Sequence, residues 1–283
     1  MSTASAEAAV PAGNGDPRDR FLPVEGGQLR YRDEGRGPVL LLVHGWTLDL
    51  DMWDPQAADL RGELRIVRFD RRGFGLSAGQ PALANDVADI DALCRHLGLR
   101  ELAVLGMSQG ARVVLAWAAR AGTQVQCIVL DGPPELDGPA TDEADVPLQR
   151  LRTMLREQGI AAMRREWAAH PLVQLRTRDP RARQLLATMI GRYPGSDLRA
   201  EPQGTAASAG PVPAASTTAP TLVISGEHDL AGRVTAAAAL ARRLPRAEHA
   251  LIPGAGHLPN LDNPGAYNRR VAAFLERHRT TSS

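Results

Sequence analysis

The stretch Leu102-Ala103-Val104-Leu105-Gly106-Met107-Ser108-Gln109-Gly110-Ala111-Arg112-Val113-Val114-Leu115 decides how this chain is read. Its first four residues are an apolar run suited to a buried strand, and from Gln109 to Arg120 the pattern becomes helical. Between them, Gly106-Met107-Ser108-Gln109-Gly110 must make an abrupt turn. A serine on a sharp strand-to-helix turn is forced into a strained backbone conformation, so small residues are needed two positions to either side. Gly106 and Gly110 meet that need. The string alone is weak: with 27 glycines in 283 residues, a G-x-S-x-G match arises by chance in roughly one such chain in ten. Its flanking strand and helix give it weight.

Outward from this turn the pattern repeats. Phe21 to Val24 and Gln28 to Asp33 read as a hairpin around Gly26-Gly27. Pro38 to Val43 and Leu64 to Phe69 are continuous apolar runs, as are Val125 to Leu130, Thr221 to Ser225 and Ala247 to Ile252. Helical patterns fall at Pro55 to Leu60, Leu83 to Leu97, Gln109 to Arg120, Ala231 to Arg243 and Pro264 to Arg279. Such alternation predicts an α/β fold, a mostly parallel central sheet with helices on both faces, and active residues at the carboxyl ends of the strands. The rhythm breaks between Glu135 and Pro220. Helices near Val146 to Glu157, Ile160 to Ala169 and Pro180 to Ile190 predict an inserted helical cap over 135–220, ending in the low-complexity connector Gly204 to Pro220. The core is then 20–134 with 221–283, and 1–19 is expected to be a disordered tail. No internal repeat is visible.

Composition narrows the chemistry. The 33 basic residues are all arginine, and with 32 acidic residues the net charge is +1. No global field is set up to attract nucleic acid or an anionic membrane, so neither is an expected partner; a small molecule is. Absence of lysine removes Schiff-base chemistry and leaves Ser, Thr, Cys, Asp and Glu as candidate nucleophiles. Cys94 and Cys127 lack the spacing of a metal site or a disulfide framework and read as core thiols. There is no signal-peptide pattern and no run of apolar residues long enough to span a membrane, so a cytoplasmic location is expected.

A serine hydroxyl is a poor nucleophile; it needs a histidine to accept its proton and an acid to hold that histidine in the correct tautomer. Both should follow strands. Asp229 comes after Thr221 to Ser225 in Gly226-Glu227-His228-Asp229, and His257 comes after Ile252 in Pro253-Gly254-Ala255-Gly256-His257. Ser108, Asp229 and His257 are therefore the predicted catalytic residues, with Asp131 at the end of Val125 to Leu130 as the rival acid. The oxyanion needs two backbone donors: the N–H of Gln109, after the nucleophile, and the N–H of Trp46 in His44-Gly45-Trp46, where Gly45 lets the chain turn toward the pocket.

Together these motifs resemble the α/β-hydrolase superfamily, in particular its small capped esterases and lactonases, similar to the 3-oxoadipate enol-lactonase-like proteins. The resemblance covers about Phe21 to Pro134 and Thr221 to His278. It takes in the His-Gly loop at His44, Trp53-Asp54, the turn Asp70-Arg71-Arg72-Gly73-Phe74-Gly75-Leu76-Ser77, the serine turn, Gly226-x-x-Asp229 and Gly256-His257. It departs at Ala111, where many relatives carry glycine. The resemblance implies an α/β-hydrolase fold and a serine hydrolase acting on a small carboxylic ester or lactone through an acyl-enzyme, with no metal or organic cofactor. Similar triads serve carbon–carbon bond hydrolases and cofactor-free perhydrolases, and a non-enzymatic ligand-binding protein could keep the same fold. A haloalkane dehalogenase would be expected to carry aspartate in place of Ser108. Oligomeric state is not readable.

The remaining candidates read more plainly. His44 is expected to brace the oxyanion loop, Asp70 and Arg72 to make turn contacts, and Trp117 and Trp167 to pack, while Trp46 could line the acyl pocket. Arginines 150, 152, 156, 164, 165, 176, 178, 181 and 183 suit a solvated helical face. The sharper alternative places one of them in the pocket, gripping a substrate carboxylate.

Overall fold

A computed structural model describes residues 16–134, 136, 145–199 and 217–278. Most of the expected N-terminal tail and of the connector, and the stretch joining the cap to the sheet, lie outside the described residues. Asp16 and Asp19, assigned to that tail, instead pair with the core. Asp19 sits 2.9 Å from Arg30 Nε and 2.7 Å from Arg32 Nε.

The chain opens with the antiparallel pair β1 (Arg20–Val24) and β2 (Gly27–Glu34), joined at Gly26, whose φ of +71° suits a residue without a side chain. Then follow β3 (Val39–Val43), α1 (Asp54–Leu60), β4 (Arg65–Phe69), the two-residue β5 (Ala78–Gly79), α2 (Leu83–Leu97), β6 (Leu102–Met107), α3 (Gln109–Ala121) and β7 (Val125–Asp131). After the insertion come β8 (Thr221–Gly226), α7 (Ala231–Arg243), β9 (Ala247–Ile252), α8 (Pro259–Asp262) and α9 (Pro264–His278). The strand order is β1-β2-β4-β3-β6-β7-β8-β9, with β5 paired to β2, and every pairing from β4 to β9 is parallel. This is the α/β fold expected from the alternation of apolar runs and helical patterns.

Why those runs are continuous rather than alternating is visible in β3. Leu40 and Leu42 join the core under α1, α8 and α9; Leu41 and Val43 join the opposite core under α2, α3 and α7. Both faces are covered, so each of Leu40 to Val43 gains about 1.5–3 kcal/mol from burial. The same two-sided division recurs at Ala103/Val104 and Val129/Leu130. Cys94 and Cys127 are buried free thiols, each pushed up to about 12 by burial.

The insertion is helical. α4 (Leu148–Ala168) breaks at Gly159, where φ is 82° and ψ 173°, so the two expected helices are the two arms of one kinked element. α5 (Pro180–Arg192) follows, then the short α6 (Ser196–Arg199). Leu151, Met163, Trp167 and Tyr193 from this region pack into the core beneath α1. Arg192 fixes it further: its Nε donates to Asp49 Oδ2 at 3.0 Å and its Nη2 pairs with Asp51.

One crossing sets the geometry at the carboxyl end of the sheet. A Cβ on Gly226 would lie 1.9 Å from the Gly256 carbonyl and 2.5 Å from that of Ala255. The loops after β8 and β9 therefore touch backbone to backbone. Gly226→Ala is expected to lower the unfolding free energy by about 2 kcal/mol or more, seen as a drop in the urea midpoint with the slope preserved. An unchanged midpoint would mean that the two loops can part at no cost.

Candidate active site

Ser108 stands between β6 and α3 with φ 50° and ψ −116°, one of two non-glycine residues with positive φ among the described residues. Three glycines make this possible. A Cβ on Gly106 would come within 2.4 Å of the Gly110 carbonyl, and one on Gly110 within 2.4 Å of the Val43 carbonyl. On Gly45 it would fall 2.5 Å from Met107 Sδ and 3.5 Å from Ser108 Cβ. The turn is thus wedged between its own helix and the loop after β3. Ser108 N–H donates to the Asp131 carbonyl at 2.7 Å, tying it to the neighbouring strand. Ala111 is fully buried behind it.

The His44-Gly45-Trp46 loop is held from below. His44 Nε2 accepts the Arg71 backbone N–H at 2.9 Å, so its proton sits on Nδ1, which donates to the Gly45 carbonyl at 2.7 Å. Burial, with the nearby Arg71 cation second, drives this imidazole down to about 3. His44 is a neutral brace, as expected from the sequence. Arg71 also donates through Nη1 to Gln109 Oε1 at 2.7 Å while its other edge grips Asp86 at 2.7 Å. The side chains on either side of the turn are therefore fixed by one arginine that sequence reasoning passed over. Thr47, at φ 61°, gives its hydroxyl to the Trp46 carbonyl at 2.6 Å and accepts the Trp167 indole N–H at 2.7 Å. Trp46 donates its own indole N–H to the buried Asp197 at 2.7 Å.

On the other side, His257 Nδ1 lies 2.8 Å from Asp229 Oδ2, and Asp229 Oδ1 accepts the Leu230 N–H at 2.7 Å. Burial pushes the Asp229 carboxyl up, but the facing imidazole and these hydrogen bonds outweigh it, leaving it below its ordinary value. Asp131 is elsewhere engaged. Its Oδ2 accepts the Tyr267 hydroxyl at 3.0 Å, its Oδ1 is buried without a hydrogen-bond partner among the described residues, and burial raises it well above the carboxylate range. Of the two acids weighed from the sequence, the one beside the imidazole is Asp229.

Two residues with no clear sequence signal shape the histidine's seat. A Cβ on Gly132 (φ +50°) would stand 2.8 Å from His257 Cε1 and 3.0 Å from Nδ1. Asp262 accepts the Gly256 N–H at 2.8 Å and those of Arg176 and Thr177 at 2.6 and 2.9 Å, joining the His257 loop to the insertion.

Ser108 and His257 line one cavity together with Trp46 and Gln109. Its empty volume is about 510 Å³, the open space at its mouth included. Its roof is apolar: Leu148 and Trp167 from α4, then Leu172 and Val173. Trp167, expected only to pack, is a wall residue because α4 lies across the loop after β3. None of the nine cap arginines lines this cavity; the arginine that does is Arg233, from α7 of the core. Of the cap arginines, Arg164 donates to the Tyr193 carbonyl and Arg150 pairs with Glu166, while Arg176 lines a neighbouring hollow on the other side of Asp229 and His257.

Residues 38–264 match the α/β-hydrolase fold family. This chain belongs to that family. It is 27% identical to an esterase from Thermogutta terrifontis solved with malate bound, over 90% of this chain and 95% of that one, with a TM-score of 0.78. It is 26% identical to the enol-lactonase of Burkholderia xenovorans LB400, over 91% and 100%, with a TM-score of 0.75. A non-heme haloperoxidase of Rhodococcus erythropolis is 37% identical across 120 residues, 40% of this chain and 43% of the relative; this match thus spans about two fifths of that protein's length. The chain is an enzyme of the α/β-hydrolase superfamily, with esterase, lactonase, haloperoxidase and dehalogenase relatives. Among the described residues no helix is long and apolar enough to cross a membrane.

The depressed titration of His44 has a defined sign. The folded state releases its proton at about 3 against an ordinary 6.5, so its contribution is complete above 6.5 and is lost as pH falls from there. His44→Gln keeps an acceptor for Arg71 and a donor for Gly45 without a titration. The melting temperature of the native protein is expected to fall between pH 7 and pH 5 by more than that of His44→Gln. Equal falls would remove His44 from the account.

Proposed function

We propose that the enzyme hydrolyses small carboxylic esters or lactones through an acyl-enzyme on Ser108. The observation that carries this reading is the convergence of a strained serine and an Asp229-paired imidazole on one cavity. Ser108 Oγ attacks the carbonyl carbon while His257 Nε2 takes its proton; Asp229, accepting from Nδ1, steadies the imidazolium. The backbone N–H groups of Trp46 and Gln109 bind the oxyanion. His257 then returns the proton to the leaving oxygen, and water activated by the same imidazole releases the acid. Preorganisation supports the oxyanion assignment, since the loop bearing Trp46 is pinned by His44, Thr47 and Trp167 before any substrate arrives.

The haloperoxidase relative favours a second outcome from the same acyl-enzyme: capture by hydrogen peroxide in place of water, giving a peracid. Turnover of p-nitrophenyl acetate, compared with peracid formation from acetate and peroxide, separates the two.

Ser108→Ala is expected to fold with an unchanged melting profile, to resist a fluorophosphonate probe and to lose nearly all ester turnover; retained activity would remove the nucleophile assignment. Asp229→Asn is expected to cost on the order of 10,000-fold in kcat, by analogy with serine proteases, because the amide holds the histidine in the wrong tautomer. Asp131→Asn should cost far less. The reverse order would transfer the acid role to Asp131.

A further inference from the structure

Arg233 is the third residue of α7, only 4% exposed, and lines the same cavity as Ser108 and His257. A guanidinium set in an otherwise largely apolar wall is costly unless its donors are used. Here they are used poorly. Nε stands 3.0 Å from Asp145 Oδ2, but it is not aligned for a hydrogen bond and is buried without a partner for one. Nη1 donates to the Gly132 carbonyl at 3.4 Å, near the outer limit for such a bond. Asp145 is itself one-third exposed, so water weakens its hold on the cation. The guanidinium fork carries five N–H donors, and among the described residues the Gly132 carbonyl engages one of them.

We propose that Arg233 binds a carboxylate carried by the substrate, making the preferred substrates acidic esters or lactones. This rests on the ester-hydrolase reading above and adds its substrate class. A carboxylate suits the site because it can take two parallel N–H bonds from the planar fork. The position follows from Gly132, which touches Arg233 through its carbonyl and faces the His257 ring with its α-carbon. The carboxylate is therefore held at the imidazole end of the cavity. The ion pair with Asp145 supplies the resting partner that keeps the empty site folded.

The test compares matched neutral and acidic esters. One pair places the charge on the acyl side, p-nitrophenyl butyrate against mono-p-nitrophenyl succinate. The other places it on the leaving group, phenyl acetate against 4-acetoxybenzoate. Native enzyme is expected to prefer the acidic member of at least one pair. Arg233→Met is expected to lower the acidic-to-neutral ratio of kcat/KM for that pair by about 10- to 100-fold, mainly through KM. Arg233→Lys should recover part of the ratio. Asp145→Asn breaks the ion pair but keeps the guanidinium, so the ratio should hold or rise. Equal fractional losses on both members of each pair in Arg233→Met, or a fall in the ratio in Asp145→Asn as large as in Arg233→Met, would overturn the assignment. If native enzyme turned over none of the four esters and Ser108 resisted the fluorophosphonate probe, the hydrolase reading would fail first. Turnover without acidic preference would sink only the role of Arg233.

Discussion

The site depends on backbone approaching backbone with nothing between. Ser108 can stand at φ 50° only because Gly106, Gly110 and Gly45 put no Cβ into the space where β6, α3 and the loop after β3 meet. At Gly106 and Gly110 an added carbon would lie 2.4 Å from a backbone oxygen, too short for a small adjustment to absorb; at Gly45 it would meet the Met107 sulfur at 2.5 Å and the Met107 carbonyl at 3.3 Å. The strain at the serine is stored locally and is balanced by the packing of Leu105, Met107 and Ala111 around it. A second such crossing, Gly226 against Gly256, brings Asp229 and His257 from two separate loops to hydrogen-bonding distance.

Charge inside the molecule does a different task. Arg30, Arg32 and Arg68 are all buried on β2 and β4 and share Asp19, Asp51, Asp54, Asp70 and Glu34 as partners. Buried pairs of this kind add little net stability, since desolvation offsets most of the attraction, but they penalise any arrangement that leaves one charge alone. The network ends at the insertion, where Arg192 reaches Asp49 and Asp51. Burial and the neighbouring Asp70 and Asp51 nonetheless push Asp49 up to about 7. The roof of the cavity is thus oriented by ion pairing at one side and by the Trp46–Asp197–Tyr193 hydrogen bonds at the other.

Much was legible beforehand because the signals are local. The strand β3 is a run of apolar residues buried on both faces, and α2 occupies Leu83–Leu97 as its periodicity indicates. The two glycines of the serine turn announce the close approach they permit. Helices α6 and α8 are too short to set up a period, and β5 is two residues stapled to β2. Gly159 breaks α4 without ending it, which spacing alone reads as two helices. Arg71 was invisible as a brace because its partners, Asp86 and Gln109, come from other elements.

The sequence by itself determined the alternation of strand and helix, the serine-bearing turn and the order of Ser108, Asp229 and His257, since each is written in neighbouring residues. Only the tertiary structure decided that the imidazole faces Asp229 and not Asp131, and that the arginine at the cavity belongs to α7 and not to the insertion. Both choices turn on which carboxyl-end loops cross, and loop crossings are fixed by close packing between segments far apart in the chain. No local pattern of side chains encodes that distance.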